Sequence, residues 1–119
     1  MKVRHRFPLP GHWTPENPPR AFSHFSSFGC PEPCTFCCSP ALTGRRWKAI
    51  PGKQLAEEIA ELQQRFKFDV LRFQDANFGV AEKRTKEFCQ ELVDLEVPIH
   101  WNGTIEVETI MRYKKETLD

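Results

Sequence analysis

Long apolar stretches are missing from this 119-residue chain. No run approaches the ~20 residues that a membrane helix needs, so no membrane partner is expected. The start, Met1-Lys2-Val3-Arg4-His5-Arg6, is basic, but Pro8, Pro10 and Gly11 interrupt any apolar core of a secretory leader. Charge of one sign is missing as well. The 17 Lys and Arg nearly cancel the 16 Asp and Glu, for a net charge of +1, which removes the bulk electrostatic argument for nucleic acid or membrane surfaces. There is no internal sequence repeat beyond strand–helix alternation, and no low-complexity tract. The cysteines do not make up a disulfide framework: five is an odd number and three are clustered. Without export signals, that pattern predicts a reducing, cytoplasmic setting with metal chemistry.

The length suits one ordinary domain. Prolines are uneven, eight of ten lying in the first 40 residues. Residues 1–20 are therefore predicted to be an extended lead-in, with Pro15, Pro18 and Pro19 also blocking helix. His12 and Trp13 are its only conspicuous side chains, and a linker role fits them better than a site. Residues 21–119 form the predicted domain. A helix is expected over Lys53–Phe66, because Leu55, Ile59, Leu62 and Phe66 form one apolar stripe opposite Glu57, Glu58, Glu61 and Gln64. Val70–Phe73 reads as a strand interrupted only by Arg72. Glu82–Leu95 reads as a second helix with Phe88, Leu92 and Leu95 inward and Cys89 beside them. A further strand over Pro98–Asn102 and a third helix over Val107–Leu118 follow, while Ser39–Gly52 reads as a loop. Strands alternating with helices predict an α/β fold with a parallel sheet and right-handed crossovers.

The chemistry lies in Cys30-Pro31-Glu32-Pro33-Cys34-Thr35-Phe36-Cys37. Three thiols within eight residues suit a metal or iron–sulfur cluster better than a disulfide. A structural zinc site, with Cys38 or a histidine as fourth ligand, is the alternative, although paired knuckles would favour zinc and only one is present. Cys38 adjoins a ligand and reads as a free thiol. Cys89, on an apolar helix face, reads as core.

Cys-x₃-Cys-x₂-Cys with an aromatic residue before the last cysteine resembles the signature of the radical S-adenosylmethionine enzymes. The flanking Ser26-Ser27-Phe28-Gly29-Cys30-Pro31, Cys38-Ser39, Gly44-Arg45-Arg46-Trp47-Lys48 and Phe73-Gln74-Asp75-Ala76-Asn77-Phe78 are similar to the subgroup that often carries a cobalamin-binding domain. The resemblance runs from about Ala21 to the end of the chain. It implies a strand over Ala21–Ser27 leading into the cysteine loop, and a partial (β/α) barrel, of which about three βα units are present. It further implies that Cys30, Cys34 and Cys37 hold a 4Fe–4S cluster whose fourth iron binds S-adenosylmethionine. The reaction implied is reductive cleavage to methionine and a 5′-deoxyadenosyl radical, which abstracts hydrogen from an unknown substrate. Cobalamin and an electron donor such as flavodoxin or ferredoxin are implied as a possible cofactor and partner.

By the same resemblance Phe36 leans toward the adenine. Many members carry a Gly-Gly-Glu-like turn after the second strand, and Phe73-Gln74-Asp75 stands in that place here. Gln74, Asp75 and Asn77 are thus candidate S-adenosylmethionine contacts, with turn and helix capping as the alternative for Asp75 and Asn77. Asn102, Thr104 and Glu106, at the end of the third strand, are weaker candidates for the ribose or carboxylate. Arg45, Arg46, Trp47 and Lys48 read as a solvated basic loop, with phosphate, nucleic acid or an acidic donor as alternatives. His24 and His100 read as packed strand residues. At roughly 30 residues per unit, six units need about 180 residues. The chain is therefore expected to be a fragment or front half completed by a C-terminal half or partner subunit. A non-catalytic iron–sulfur electron-transfer or zinc-binding module is the competing reading.

Overall fold

A computed structural model describes residues 14–118. The first 13 residues of the predicted lead-in, with His12 and Trp13, lie outside the described residues, as does Asp119. The chain enters through a turn in which Thr14 and Asn17 exchange backbone hydrogen bonds. Arg20 N–H then donates to the Asp69 carboxylate at 2.8 Å, and this bond seats the first strand beside the later one.

Three strands make a parallel sheet: β1 (Ala21–His24), β4 (Val70–Phe73) and β5 (His100–Asn102), in the order β1-β4-β5. A separate antiparallel pair joins β2 (Ser27–Gly29) to β3 (Trp47–Ala49). The helices are α1 (Ser39–Thr43), α2 (Gly52–Phe66), α3 (Glu82–Asp94), α4 (Val107–Met111) and α5 (Lys115–Leu118). The fold is mixed α/β with a parallel sheet.

One face of the sheet carries the core. Leu71 and Phe73 of β4 meet Leu55, Ala56 and Ile59 of α2 and Phe88, Cys89 and Leu92 of α3, with Phe68 and Phe78 completing the cluster. Phe73, Phe78, Phe88 and Trp101 are mutually in ring contact, with centroids 4.6–5.8 Å apart, offset or edge-on as aromatic quadrupoles favour. Ser23, Arg72 and Asn102, in register across β1, β4 and β5, are exposed. Strand side chains alternate between faces, so the helices cover one side and polar residues occupy the other.

Several expectations need correction. Ala21–Ser27 is not one strand: β1 ends at His24 and β2 starts at Ser27, because the backbone turns there to pair with a different partner. Ser39–Gly52 is not a plain loop, since it holds α1 and β3. Pro40 starts α1 and left-handed Gly44 ends it after five residues. The single helix expected over Val107–Leu118 is two short ones separated at residues 112–114. The inward positions also run out at the helix ends, for Phe66 is 41 % and Leu95 44 % exposed.

Candidate functional site

The chain leaves the parallel sheet at the carboxyl end of β1, where ligands gather in parallel α/β folds, passes through β2 of the antiparallel pair and enters the cysteine loop directly after it. Gly29 delivers the chain into it. Its φ is +85°, and a Cβ there would collide with the carbonyl oxygen of Arg46 across the β2–β3 pair. No side chain fits that position without moving β3.

All five cysteines are free thiols. Cys30 and Cys34 are half-buried, Cys37 and Cys38 exposed, and Cys89 buried in the core as expected. Cys37 N–H donates to the Cys34 carbonyl at 3.2 Å, closing a turn. The Ser39 N–H points at the Cys37 sulfur at 3.4 Å. Hydrogen bonding from Ser39 holds the Cys37 thiol below its ordinary range, which favours the thiolate that metals bind. Among the described residues, no group of three or more His, Cys, Asp or Glu side chains stands in metal-holding geometry. The donor set has the right number and chemistry for a cluster with one open iron, but its sulfurs are not gathered.

Asp75 has a different setting from a turn or helix cap. It is 4 % exposed, and its carboxylate accepts from Ser26 N–H at 2.7 Å, Ser26 Oγ at 2.5 Å and Ser27 Oγ at 2.6 Å. The N-cap of α3 is Ala81, without a capping side chain, so neither Asp75 nor Asn77 caps it. On the other side of Ser26 stands Arg84, 7 % exposed. Its guanidinium donates to Ser26 Oγ at 2.6 Å, Ser26 carbonyl at 3.3 Å, Ile50 carbonyl at 2.7 Å and Phe78 carbonyl at 3.0 Å. Burial pushes Arg84 down from its usual range while the Asp75 charge opposes that shift. The two charged groups are joined through the Ser26 hydroxyl, which donates to one and accepts from the other.

The remaining candidates separate. Gln74 is exposed and its amide reaches Ser23 Oγ at 3.4 Å. Phe36 is 92 % exposed. Asn77 is fully buried; its Oδ1 accepts from Glu106 N–H at 3.4 Å, and its Nδ2 has no hydrogen-bond partner. Asn102 and Thr104 are exposed beyond β5, where the Thr104 carbonyl accepts from Phe78 N–H at 2.8 Å. Glu106 instead caps α4, accepting from Glu108 and Thr109. His24 packs edge-on to Phe73 and lies 3.5 Å from Glu58, whereas His100 is exposed.

Sequence reasoning missed Ser26 and Arg84 as a pair, and Arg72 as a member of the polar sheet face. Only the Arg72 break in an apolar strand left a signal. Arg45 also proves more than a solvated side chain, because its Nε donates to the Pro31 carbonyl inside the cysteine loop at 2.9 Å. Glu32 reaches Arg112 at 3.6 Å, a second strap across that loop.

Fold and site define a mixed α/β chain with a short parallel sheet and a thiol-rich loop that follows β2. No family model matches the chain. It is 27 % identical over 84 residues to an uncharacterized methyltransferase of Pyrococcus horikoshii, which covers 71 % of this chain and 18 % of that protein. The chain thus spans less than a fifth of the length of the curated relative it matches. No described helix is long and apolar enough to cross a membrane.

Proposed function

We propose that this chain is part of a radical S-adenosylmethionine domain, in which Cys30, Cys34 and Cys37 hold a 4Fe–4S cluster. The observation that carries the reading is the C-x₃-C-x₂-C loop itself, reached through β2 from the carboxyl end of β1, in a chain whose parallel sheet is covered by helices on one face. Helices on one face and the other face left open, with Ser23, Arg72 and Asn102 in register on it, are compatible with a segment of (β/α) barrel wall whose helices lie outside. The methyltransferase name of the relative is compatible with a chain that binds a methyl-bearing sulfonium.

A bound cluster would supply one electron to the sulfonium of S-adenosylmethionine, releasing methionine and a 5′-deoxyadenosyl radical that takes hydrogen from a substrate. The chain's own residues bind and orient. Cys30, Cys34 and Cys37 would hold the cluster as thiolates. Gln74, Asn102 and Thr104 present polar groups near the strand ends, where an amino acid and a ribose have to be held, and the exposed Phe36 offers a ring to the adenine. Asn77 Nδ2, buried and unpaired, is a donor still in need of an acceptor. In this reading Asp75 acts on the ammonium only through its surroundings, since both its oxygens already accept from serines. Further strands, an electron donor such as flavodoxin or ferredoxin, and a cytoplasmic setting belong to the same proposal.

Anaerobic reconstitution with iron and sulfide tests it. The expected product is a brown protein whose reduced-state paramagnetic signal changes on adding S-adenosylmethionine. Replacing Cys34 by Ala should abolish iron uptake. A protein that takes one zinc and refuses iron would overturn the proposal. A cluster indifferent to S-adenosylmethionine would assign the chain to electron transfer.

A further inference from the structure

Ser26 Oγ lies between two buried, oppositely charged side chains. It donates to Asp75, at the end of β4, and accepts from Arg84, on the first turn of α3. Ser27 Oγ adds a second grip on the same carboxylate at 2.6 Å. The Ser26 backbone is held as well: its N–H by Asp75, and its carbonyl by Ile50 N–H at 2.9 Å and by Arg84. Every polar atom of Ser26 is therefore used, at a residue only 1 % exposed. It sits where the chain leaves β1 for β2, four residues ahead of Cys30.

From this geometry we infer that Asp75 and Arg84 are positioning residues for the cysteine loop, acting through Ser26 and Ser27. The assignment of the loop as a cluster site rests on the function proposed above; the mechanical inference does not. A carboxylate accepting three hydrogen bonds and a guanidinium donating four define one geometry for the Ser26–Ser27 backbone. β2 and Gly29 transmit that geometry to Cys30. The neighbouring straps agree with this, for Arg45 holds Pro31 and Arg112 holds Glu32. Arg84 also lies over the rings of Phe78 and Trp47, at 4.8 and 5.7 Å from their centroids. It thereby connects the aromatic core to β3, the strand paired with the loop's entry.

The test has two arms. In metal-free protein, the alkylation rates of individual cysteines are followed by mass spectrometry. Asp75→Asn keeps the shape but removes an acceptor, and is expected to raise the Cys30 rate about fivefold or more while Cys89 stays protected. Ser27→Ala, which removes a single partly exposed hydroxyl and leaves Ser26 bound, should give a smaller rise, and Ser27→Thr should restore the parent rate. If Cys30 and Cys89 accelerate together in both Asp75→Asn and Ser27→Ala, or if Cys30 moves in neither, the inference is overturned. In the second arm, iron-loaded Ser27→Ala is expected to show altered g-values at unchanged iron content; g-values identical to the parent would also overturn it. If the parent itself refuses iron, the proposed function falls, while the alkylation arm still decides whether these residues position the loop.

Discussion

Gly52 lies directly against the backbone of Arg84. A Cβ on Gly52 would collide with the Arg84 carbonyl oxygen and come within 2.9 Å of Phe88 N and 3.0 Å of Glu87 Cβ. The start of α2 and the first half of α3 thus touch main chain to main chain, and this contact sets how far Arg84 reaches toward Ser26. Gly52→Ala is expected to destabilise the fold by about 1–3 kcal/mol, the usual cost of overpacking. It should also loosen the cysteine loop. Urea denaturation gives the first effect and Cys30 alkylation the second; a variant as stable as the parent would mean the helices separate freely.

The aromatic core should be unforgiving. Phe78 is fully buried and in contact with Phe73, Phe88 and Trp101. Phe78→Ala is expected to cost about 3–5 kcal/mol, a large share of the stability of a domain this size. Thermal melting followed by tryptophan fluorescence reads it, and Phe78→Leu should recover part of the loss.

Thiol reactivity should divide the cysteines. Burial pushes the Cys89 thiol up to about 11, so at pH 8 it stays protonated as well as enclosed. Native, metal-free protein should label rapidly at Cys37 and Cys38 and leave Cys89 unmodified until denaturant is added. Rapid labelling of Cys89 without denaturant would contradict its place in the core.

Acid should release the carboxyl-terminal segment before the core. Glu82 accepts from Thr117 Oγ1 at 2.6 Å and Lys114 N–H at 2.9 Å, and these bonds, the Thr117 one foremost, lower its pKa. Glu106 is lowered chiefly by the Glu108 N–H at the start of α4. A carboxylate depressed in the folded state contributes stability above its unfolded value of 4.5, and that contribution is lost as pH falls through the folded value. Hydrogen exchange at residues 107–118 should therefore accelerate below pH 4.5 while α2 and α3 remain protected. Equal acceleration everywhere would place the acid-labile contacts elsewhere.

The elements readable from sequence were those made by local patterning. α2, β4 and α3 start and stop within one residue of expectation, since an apolar stripe at helical spacing or a short β-rich run needs no distant partner to be recognised. β3 was not readable, because its three residues become a strand only by pairing with β2. The break between α4 and α5 was hidden for a related reason. Tyr113 donates to the Gly79 carbonyl at 2.5 Å and meets Thr85 Oγ1 at 3.0 Å, while Glu82 takes the Lys114 N–H. Those contacts turn the chain where its own periodicity would have carried the helix on.

The site divides in the same way. Spacing alone singled out Cys30, Cys34 and Cys37, because three thiols so close in sequence cannot be far apart in space. The partners of Asp75 could not be read, since Ser26 and Ser27 lie 49 and 48 residues away and nothing local to those serines points to a distant carboxylate. Residue order thus determined which donors are available and where the regular elements run, both consequences of short-range geometry. Only the folded chain decided that a buried arginine and aspartate meet at one serine hydroxyl, because desolvated charges settle where packing brings opposite partners within reach.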